Sequence, residues 1–255
     1  DNTGTQNGTS WGTAYTTIQQ AIDSAAAGDR VWVAEGVYDE PRTADAAGSL
    51  VLKTNVSVYG GFIGKAAGGY ETQLSQRNWV AHVVTIDGAN GRGAGVRAYH
   101  VVKGTTGSTL DGFTITGGNA NGSAWNGCGG GFFSDTSGGT VSNCVFTANS
   151  ASVGGAIGNR SSSATFSKCT IYSNTAFSGA GVYNDGGSPV FSNCLLYRNV
   201  ATNGGGMWSF NGSTPSLVNC TFALNQATAG AGLYADGATV TLLNTILFFD
   251  SGGEI

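Results

Sequence analysis

A repeat of 25 or 26 residues in the second half of the chain is the feature that most constrains the fold. Cysteine, asparagine, glycine and two apolar positions each recur once per repeat, in one shared register. These columns are Cys144, Cys169, Cys194 and Cys220; Asn149, Asn174, Asn199, Asn225 and then Asp250; Gly129, Gly154, Gly179, Gly204 and Gly230; Phe132, Ile157, Val182, Met207 and Leu233; and Val141, Phe166, Phe191, Leu217 and Leu242. Several columns in one register are typical of a solenoid whose repeats stack on their neighbours.

Within each repeat, short stretches alternate between apolar and polar residues. Residues 169–172 place Cys169 and Ile171 on one face and Thr170 and Tyr172 on the other, which is strand periodicity. The Leu-x-x-Leu-x-Leu pattern of leucine-rich repeats is absent. With 43 glycines and only 10% charged residues, the composition suits closely stacked backbones. The sequence therefore predicts an all-β fold, a right-handed parallel β-helix with coils of about 25 residues.

We interpret residues 1–255 as one β-helix domain with three parts. Residues 1–30 form an N-terminal segment with a capping helix, residues 31–127 form irregular coils, and residues 128–255 form regular coils with an uncapped C-terminal end. The helix is predicted over residues 15–27, where Ile18, Ala21, Ile22 and Ala25 make an apolar stripe that ends at Gly28. It would cover the unpaired strand edges of the first coil.

The N-terminal half resembles choice-of-anchor Q domain proteins, and the repeats resemble those of polymorphic outer-membrane proteins. The stretches that carry the first resemblance are Gly8-Thr9-Ser10-Trp11, Val58-Tyr59-Gly60-Gly61-Phe62, Arg77-Asn78-Trp79 and Ile86-Asp87-Gly88. The second is carried by the FxxN and GGAI signatures Phe146-Thr147-Ala148-Asn149 and Gly154-Gly155-Ala156-Ile157. Both resemblances imply a secreted or cell-surface protein, of unknown or adhesive function. The stretch Gly252-Gly253-Glu254-Ile255 also resembles these families' continuing pattern, which suggests a chain that ends within the solenoid.

Charge and composition exclude several partners. The net charge of −4 leaves no basic surface for nucleic acid, and no run of about 20 apolar residues could span a membrane. No CxxC or Cys/His grouping indicates zinc. The chain opens at Asp1 rather than Met and shows no signal peptide, which we interpret as a processed or trimmed export product.

The cysteine and asparagine columns each have a structural and a functional interpretation. The thiols could form disulfides or a redox row, but at inward positions they are more typical of small buried side chains. The asparagines could bind a ligand, but stacked asparagines at a turn more often form an amide ladder. A third column contains Asp135, Arg160 and Asp185, followed by Phe210 and Asp236, and predicts an exposed ion ladder. No cofactor is predicted; calcium is conceivable from the carboxylates, although no Asp-x-Asp pattern supports it.

An aromatic column is the best candidate for ligand binding. It consists of Phe133, Tyr183, Trp208 and Tyr234, with Gly158 interrupting it. Each residue follows an inward apolar one, so alternation points it outward, where a polysaccharide could stack on the rings. Alternatively, loops cover the rings or the rings pack on one another. A second outward set contains Tyr172, Tyr197 and Phe248.

Catalysis has weak support in the sequence. The densest group of ionisable residues has no recognisable spacing, and both of its aspartates precede glycine as turn residues do; the group is His82, Asp87, Arg92, Arg97, His100, Lys103 and Asp111. No Ser/His/Asp arrangement occurs. We therefore expect an exported surface, adhesive or structural module without catalytic activity, with no catalytic residue assigned.

Two alternatives remain open. The first is a carbohydrate-binding β-helix, or a polysaccharide-cleaving one of the lyase or glycoside hydrolase kind, whose partner is a polysaccharide or a host or cell surface. The second is a filament subunit that self-associates head-to-tail, because residues 242–255 leave the last coil uncovered.

Overall fold

The coils are built from short strands separated by sharp bends. The computed structural model describes residues 6–42, 45–65 and 70–253. In one regular coil, residues 140–164, the bends fall at Asn143, Ala148, Gly154 and Ser161, all of which have left-handed backbone conformations with φ between 45° and 67°. Side chains are strained in this region and glycine is not, and at Gly154 a Cβ atom would also clash with the Ile157 carbonyl oxygen, which explains the glycine at this bend.

The described residues contain one α-helix, three 3₁₀ turns and 26 strands. The helix is α1 (Ile18–Ser24), and the 3₁₀ turns are Trp11–Thr13, Leu74–Gln76 and Ala124–Gly127. The strands are β1 (Arg30–Ala34), β2 (Gly36–Tyr38), β3 (Leu50–Val51), β4 (Ser57–Phe62), β5 (Val84–Asp87), β6 (Val102–Lys103), β7 (Thr109–Asp111), β8 (Thr114–Thr116), β9 (Asn119–Ala120), β10 (Phe132–Asp135), β11 (Thr140–Ser142), β12 (Val145–Thr147), β13 (Ser150–Val153), β14 (Ile157–Arg160), β15 (Thr165–Ser167), β16 (Thr170–Tyr172), β17 (Thr175–Ser178), β18 (Val182–Asp185), β19 (Val190–Ser192), β20 (Leu195–Tyr197), β21 (Met207–Phe210), β22 (Ser216–Val218), β23 (Thr221–Ala223), β24 (Leu233–Asp236), β25 (Thr241–Leu243) and β26 (Ile246–Phe248).

These strands form four parallel sheets that run along the stack. Sheet 1 has the order β1-β4-β7-β11-β15-β19-β22-β25, and sheet 2 has the order β2-β5-β8-β12-β16-β20-β23-β26. Sheet 3 has the order β3-β6-β10-β14-β18-β21-β24, and sheet 4 contains β9-β13-β17. Equivalent residues of successive coils are direct partners, as where Val141 pairs with Phe166 and Phe166 with Phe191. The predicted parallel β-helix is confirmed.

The core is one continuous column of apolar side chains. It runs from Ile18 in the helix to Leu233 in β24, and the inward residues of sheets 1, 2 and 3 all contribute to it. The rings of Phe166 and Phe191 stack at 4.7 Å with an interplanar angle of 8°. Burial of each such side chain contributes about 1.5–3 kcal/mol to the stability of the fold. A single coil cannot enclose this core without its neighbours.

Helix α1 is shorter than predicted. Its N-cap is Thr17, whose side chain accepts a hydrogen bond from the backbone N–H of Gln20, and the helix ends at Ser24 rather than Ala27. Ile18 and Ile22 are buried at the end of the core column. The predicted boundaries, residues 15–27, were wrong because the backbone is already extended at Thr17 and again at Ala25.

The N-terminal coils are irregular because long connections interrupt them. The longest runs from β4 to β5, at the corner between sheets 1 and 2, and its described parts are residues 63–65 and 70–83. We call residues 70–83 the corner loop. It lies on the outside of the first coils and forms one wall of the candidate site.

Candidate functional site

The cysteine column forms a buried row of free thiols. Cys144, Cys169, Cys194 and Cys220 are buried, and each Sγ lies within hydrogen-bonding distance of a carbonyl in the preceding coil, as from Cys169 to the Val141 oxygen at 3.6 Å. No disulfide is described among the five cysteines, which are all free. Burial raises the pKa of Cys144 to about 12, so this thiol stays protonated and is a poor nucleophile.

The asparagine column forms a continuous ladder of amides. The backbone N–H of Asn149 donates to Asn174 Oδ1 at 3.0 Å, and Asn174 bonds to Asn199 in the same way at 3.1 Å. Each Nδ2 also donates to a main-chain carbonyl of the preceding coil, as from Asn174 to the Phe146 oxygen at 3.0 Å. The ladder ends at Asp250, whose carboxylate accepts from Asn225. The hydrogen-bonding groups of these buried amides are used by contacts between the coils.

Sequence reasoning missed a second buried ladder inside sheet 3. Asn159 Nδ2 donates to Asn184 Oδ1 at 2.9 Å, and Asn184 Nδ2 donates to Ser209 Oγ at 3.2 Å. The signal was present as a column of small polar residues at the 25-residue spacing, which begins at Ser134.

The aromatic column is largely covered rather than exposed. Phe133 and Tyr183 are buried, and they pack with Cys128 in a second apolar cluster outside the main core. A Cβ atom at Gly158 would clash with Cys128 Sγ, so this glycine interrupts the column to make room for the fifth cysteine.

The last two members of the column are half-buried and pack on one another. Trp208 makes edge contacts with Tyr183 at 5.4 Å and with Tyr234 at 6.1 Å. This geometry favours the packing interpretation; glycan stacking on Phe133, Tyr183, Trp208 and Tyr234 stays a prediction.

The second outward set lies on the outer face of sheet 2. The rings of Tyr172 and Tyr197 are half-buried and stack face to face at 5.0 Å. Ala223 occupies the same column in the next coil, and Phe248 follows it with 55% of its surface exposed.

The predicted ion ladder is only partly formed. Arg160 Nε lies 2.5 Å from Asp135 Oδ1, and the guanidinium covers the Trp125 ring at 4.6 Å. Asp185 instead accepts a hydrogen bond from Asn211 Nδ2 at 2.9 Å. Arg160 therefore pairs with one aspartate rather than lying between two.

The early ionisable residues mostly join neighbouring coils. Arg97 donates to the carbonyls of Gly117, Gly118 and Ala148, and Lys103 pairs with Asp45 at 3.2 Å. Arg92 Nε donates to the Arg97 carbonyl, and the Asp87 carboxylate accepts from the backbone N–H two residues further on.

The two histidines have different surroundings. His100 is buried against the Phe133 ring at 4.8 Å, with Nδ1 3.0 Å from the Gly129 oxygen, and burial lowers its pKa. His82, in the corner loop, is partly exposed and lies 2.8 Å from Glu35.

Arg77 fixes the corner loop to the helix. Its guanidinium lies between the rings of Tyr59 and Trp79, at 5.0 and 4.7 Å, and its Nη2 lies 2.7 Å from Asp111 Oδ1. Asn143 Nδ2 donates to the same carboxylate oxygen at 3.0 Å. The carboxylate of Asp111 is thus held by a cation and an amide, and it serves to position the loop.

Two glycines let Trp79 approach the sheet corner. Gly61 and Gly112 have φ values of +98° and +84°, and a Cβ atom at either would clash with Trp79. The backbone N–H of Asn78 donates to the Gly61 carbonyl at 2.6 Å. The corner loop is therefore docked through its backbone as well as through Arg77.

A pocket of about 330 Å³ opens between the corner loop and the outer face of sheet 2. The loop wall is formed by Trp79, Val80 and Val83, and the sheet contributes residues from three successive coils, Thr114, Val145 and Thr170. Asn143 and Lys168 also line it, from the bends between sheets 1 and 2. The pocket thus combines an indole, aliphatic side chains, hydroxyls, an amide and one ammonium group.

The sequence matches a family model described as "Right handed beta helix region" over residues 75–251. The chain belongs to this right-handed β-helix family. No curated protein matches this β-helix. The match establishes the coarser part of the resemblance; the choice-of-anchor Q and polymorphic outer-membrane assignments stay predictions.

Solved structures share the same β-helical fold. A pectin methylesterase from Aspergillus niger is 13% identical with a TM-score of 0.51, covering 93% of this chain and 81% of that one. Pectin methylesterase PemA from Erwinia chrysanthemi is 14% identical with a TM-score of 0.51, covering 93% and 78%. At this identity the likeness shows the fold alone.

Over the residues that the structure describes, this β-helix has no group of three or more His, Cys, Asp or Glu side chains that could hold a metal ion. Within the same residues no helix is long and apolar enough to cross a membrane. In the last coil, Leu242, Leu243, Ile246 and Phe249 are exposed, while residues 254–255 lie outside the described residues, as do residues 1–5 at the other end. Head-to-tail assembly through this coil stays a prediction.

Proposed function

We propose that this β-helix is an exported surface module that acts by adhesion and has no catalytic activity. The observation that carries the proposal is the role of its ionisable side chains. In the group that the sequence offers for catalysis, Arg97 binds three carbonyls, Lys103 pairs with Asp45, and Asp111 is held by Arg77 and Asn143. The hydrogen bonds and ion pairs of these three side chains hold neighbouring coils together, which is a structural role rather than a catalytic one.

The architecture suits a long binding surface. Eight strands in sheet 1, at about 4.8 Å per strand, extend for about 34 Å along the axis. Each coil presents its outward residues at the same period, so an extended partner can make repeated contacts. Ladders of buried amides and stacked rings keep that surface rigid, which lowers the entropic cost of binding.

Export is consistent with the thiols of this chain. Five free cysteines would be a liability in an oxidising compartment if they were reactive. All five are buried, and burial raises the pKa of Cys128 and Cys144. Unreactive thiols persist where exposed ones would cross-link.

A paired binding and turnover assay tests the proposal. The purified chain is applied to surfaces coated with polysaccharides or with intact cells, and the same polysaccharides are analysed for new reducing ends and unsaturated ends. We expect retention on at least one surface without product, and no retention by heat-denatured protein. New chain ends that scale with protein concentration would overturn the non-catalytic proposal in favour of a polysaccharide-cleaving enzyme.

A further inference from the structure

We propose that the pocket between the corner loop and sheet 2 binds an anionic glycan, which contacts Trp79 and pairs with Lys168. This inference rests on the adhesive function proposed above and names the ligand class of the site. The pocket was not among the residues that the sequence offered for binding, and it lies on a different face from the aromatic column.

Trp79 supplies a surface for a sugar ring. Arg77 occupies one face of the indole, 37% of the residue is exposed, and the residue borders the pocket. An amphipathic indole fixed in one orientation contributes contact area at little entropic cost. Because Arg77 is itself held by Asp111 and two carbonyls, the ring is positioned before any ligand arrives.

The other lining groups match the hydrogen-bonding pattern of a sugar. Thr114 and Thr170 lie in one outward column of sheet 2, with Val145 in the coil between them. Their hydroxyl groups can donate and accept, as sugar hydroxyls do, and the valine offers apolar surface to the C–H face of a ring. The column follows the helix axis, so a linear chain of sugars can lie along it.

Lys168 indicates that the ligand carries negative charge. It is exposed, and within the described part of the chain no carboxylate pairs with it. The Asp111 carboxylate, which holds the corner loop, is already paired with Arg77 and Asn143. The pocket therefore offers an unpaired ammonium group and, among the described residues, no lining carboxylate, which favours an anion.

The backbone at Lys168 strengthens this interpretation. Its φ is 53°, a left-handed conformation that disfavours side chains other than those of Asn, Asp and Gly. The equivalent bends carry Asn143, Asn193, Asn219 and Asn244, and the last three form an outer row of amide contacts at 3.2–3.4 Å. Lysine replaces asparagine at the one bend of this row that lines the pocket beside Asn143.

Binding of defined probes tests the inference. The probes are oligosaccharides of polygalacturonate for carboxylate, dextran sulfate for sulfate, and unmodified dextran as the neutral reference, each titrated by calorimetry at low and high salt. We expect one or both anionic probes to bind, dextran to bind at least about tenfold more weakly, and affinity to fall with salt. The preferred probe identifies the anionic group.

Three variants locate the site. Lys168→Asn installs the residue of the neighbouring bends and should weaken binding about fivefold without lowering the melting temperature. Trp79→Ala should weaken it about tenfold. Arg198→Asn is the matched control, because it removes one positive charge at a bend with the same φ of 53°, on the other side of sheet 2. This variant should change the binding affinity less than about twofold.

The inference is overturned if no anionic probe binds, if dextran binds equally well, or if Lys168→Asn binds as the wild type does. Folding defects cannot produce this last result, and a Trp79→Ala variant that fails to fold leaves the Lys168 comparison decisive. Failure of the proposed function is distinguishable, since it appears as product formation in the turnover assay, whereas failure here leaves adhesion to coated surfaces intact.

Discussion

Asn174 is the position where the amide ladder can be tested most directly. Its Oδ1 accepts from the backbone N–H of Asn149 at 3.0 Å, and its Nδ2 donates to the Phe146 carbonyl at 3.0 Å and to Asn199 Oδ1 at 3.0 Å. The substitution Asn174→Ala removes all of these bonds in a fully buried environment. Alanine suits the backbone here, since Asn174 is not among the residues with positive φ.

The expected loss of stability follows from the polar groups that lose their hydrogen-bond partners in this variant. The N–H of Asn149 loses its acceptor in the interior, which costs about 1–3 kcal/mol, and each lost hydrogen bond costs about 1 kcal/mol more. Asn199 Oδ1 keeps the backbone N–H of Asn174, so it is not orphaned. We therefore expect Asn174→Ala to lower the free energy of unfolding by about 3–5 kcal/mol, which corresponds to about 6–20 °C in melting temperature.

Chemical and thermal denaturation followed by far-UV circular dichroism measure this loss. The matched control is Asn219→Gly, which removes an exposed amide from the outer row and keeps a residue that tolerates the positive φ. It should cost less than about 1 kcal/mol. Equal losses for the two variants, or a loss below about 1 kcal/mol for Asn174→Ala, would refute the argument that buried amide bonds rather than stacking alone hold the coils in register.

Three further predictions concern the other buried groups. Thiol titration of the native chain should find little reactivity and five thiols after denaturation, whereas a disulfide among them would contradict the buried row. Burial lowers the pKa of His100 below 6.5, so as the pH falls the unfolded state binds the proton before the folded state does, and stability should fall below about pH 6.5. Denaturation of a His100→Gln variant at several pH values measures this effect. If the variant keeps the same dependence of stability on pH, another group is responsible for it. Gly158→Ala should destabilise the fold by about 1–3 kcal/mol, because its Cβ would clash with Cys128. In denaturation experiments, the double variant Gly158→Ala with Cys128→Ala should regain part of the lost stability.

The regular coils could be predicted from the sequence because their determinants are local and repeat. The positions of Cys169 and Asn174 recur in every coil, so one period specifies which side chains point inward and which stack. Helix α1 was placed correctly but drawn too long, since an apolar stripe does not show where the backbone turns extended at Thr17. The sequence left the burial of Phe133 undecided for a related reason. Strand alternation gives the side of a sheet, but not whether another segment covers it, and here Cys128 does so.

The candidate pocket depends on contacts that cannot be derived from the 25-residue repeat. Trp79 reaches its place because Arg77 in the corner loop pairs with Asp111, a residue 34 positions later, and because Gly61 and Gly112 leave room for the indole. The local sequence around each of these residues indicates a loop or a turn, and the residues come together at one corner only in the folded stack. A sequence signal did exist at Lys168, the one departure from asparagine at bends 143, 168, 193, 219 and 244. In a solenoid the repeating residues build the scaffold, so an exposed departure that also lines a pocket, as Lys168 does, is where recognition should be sought.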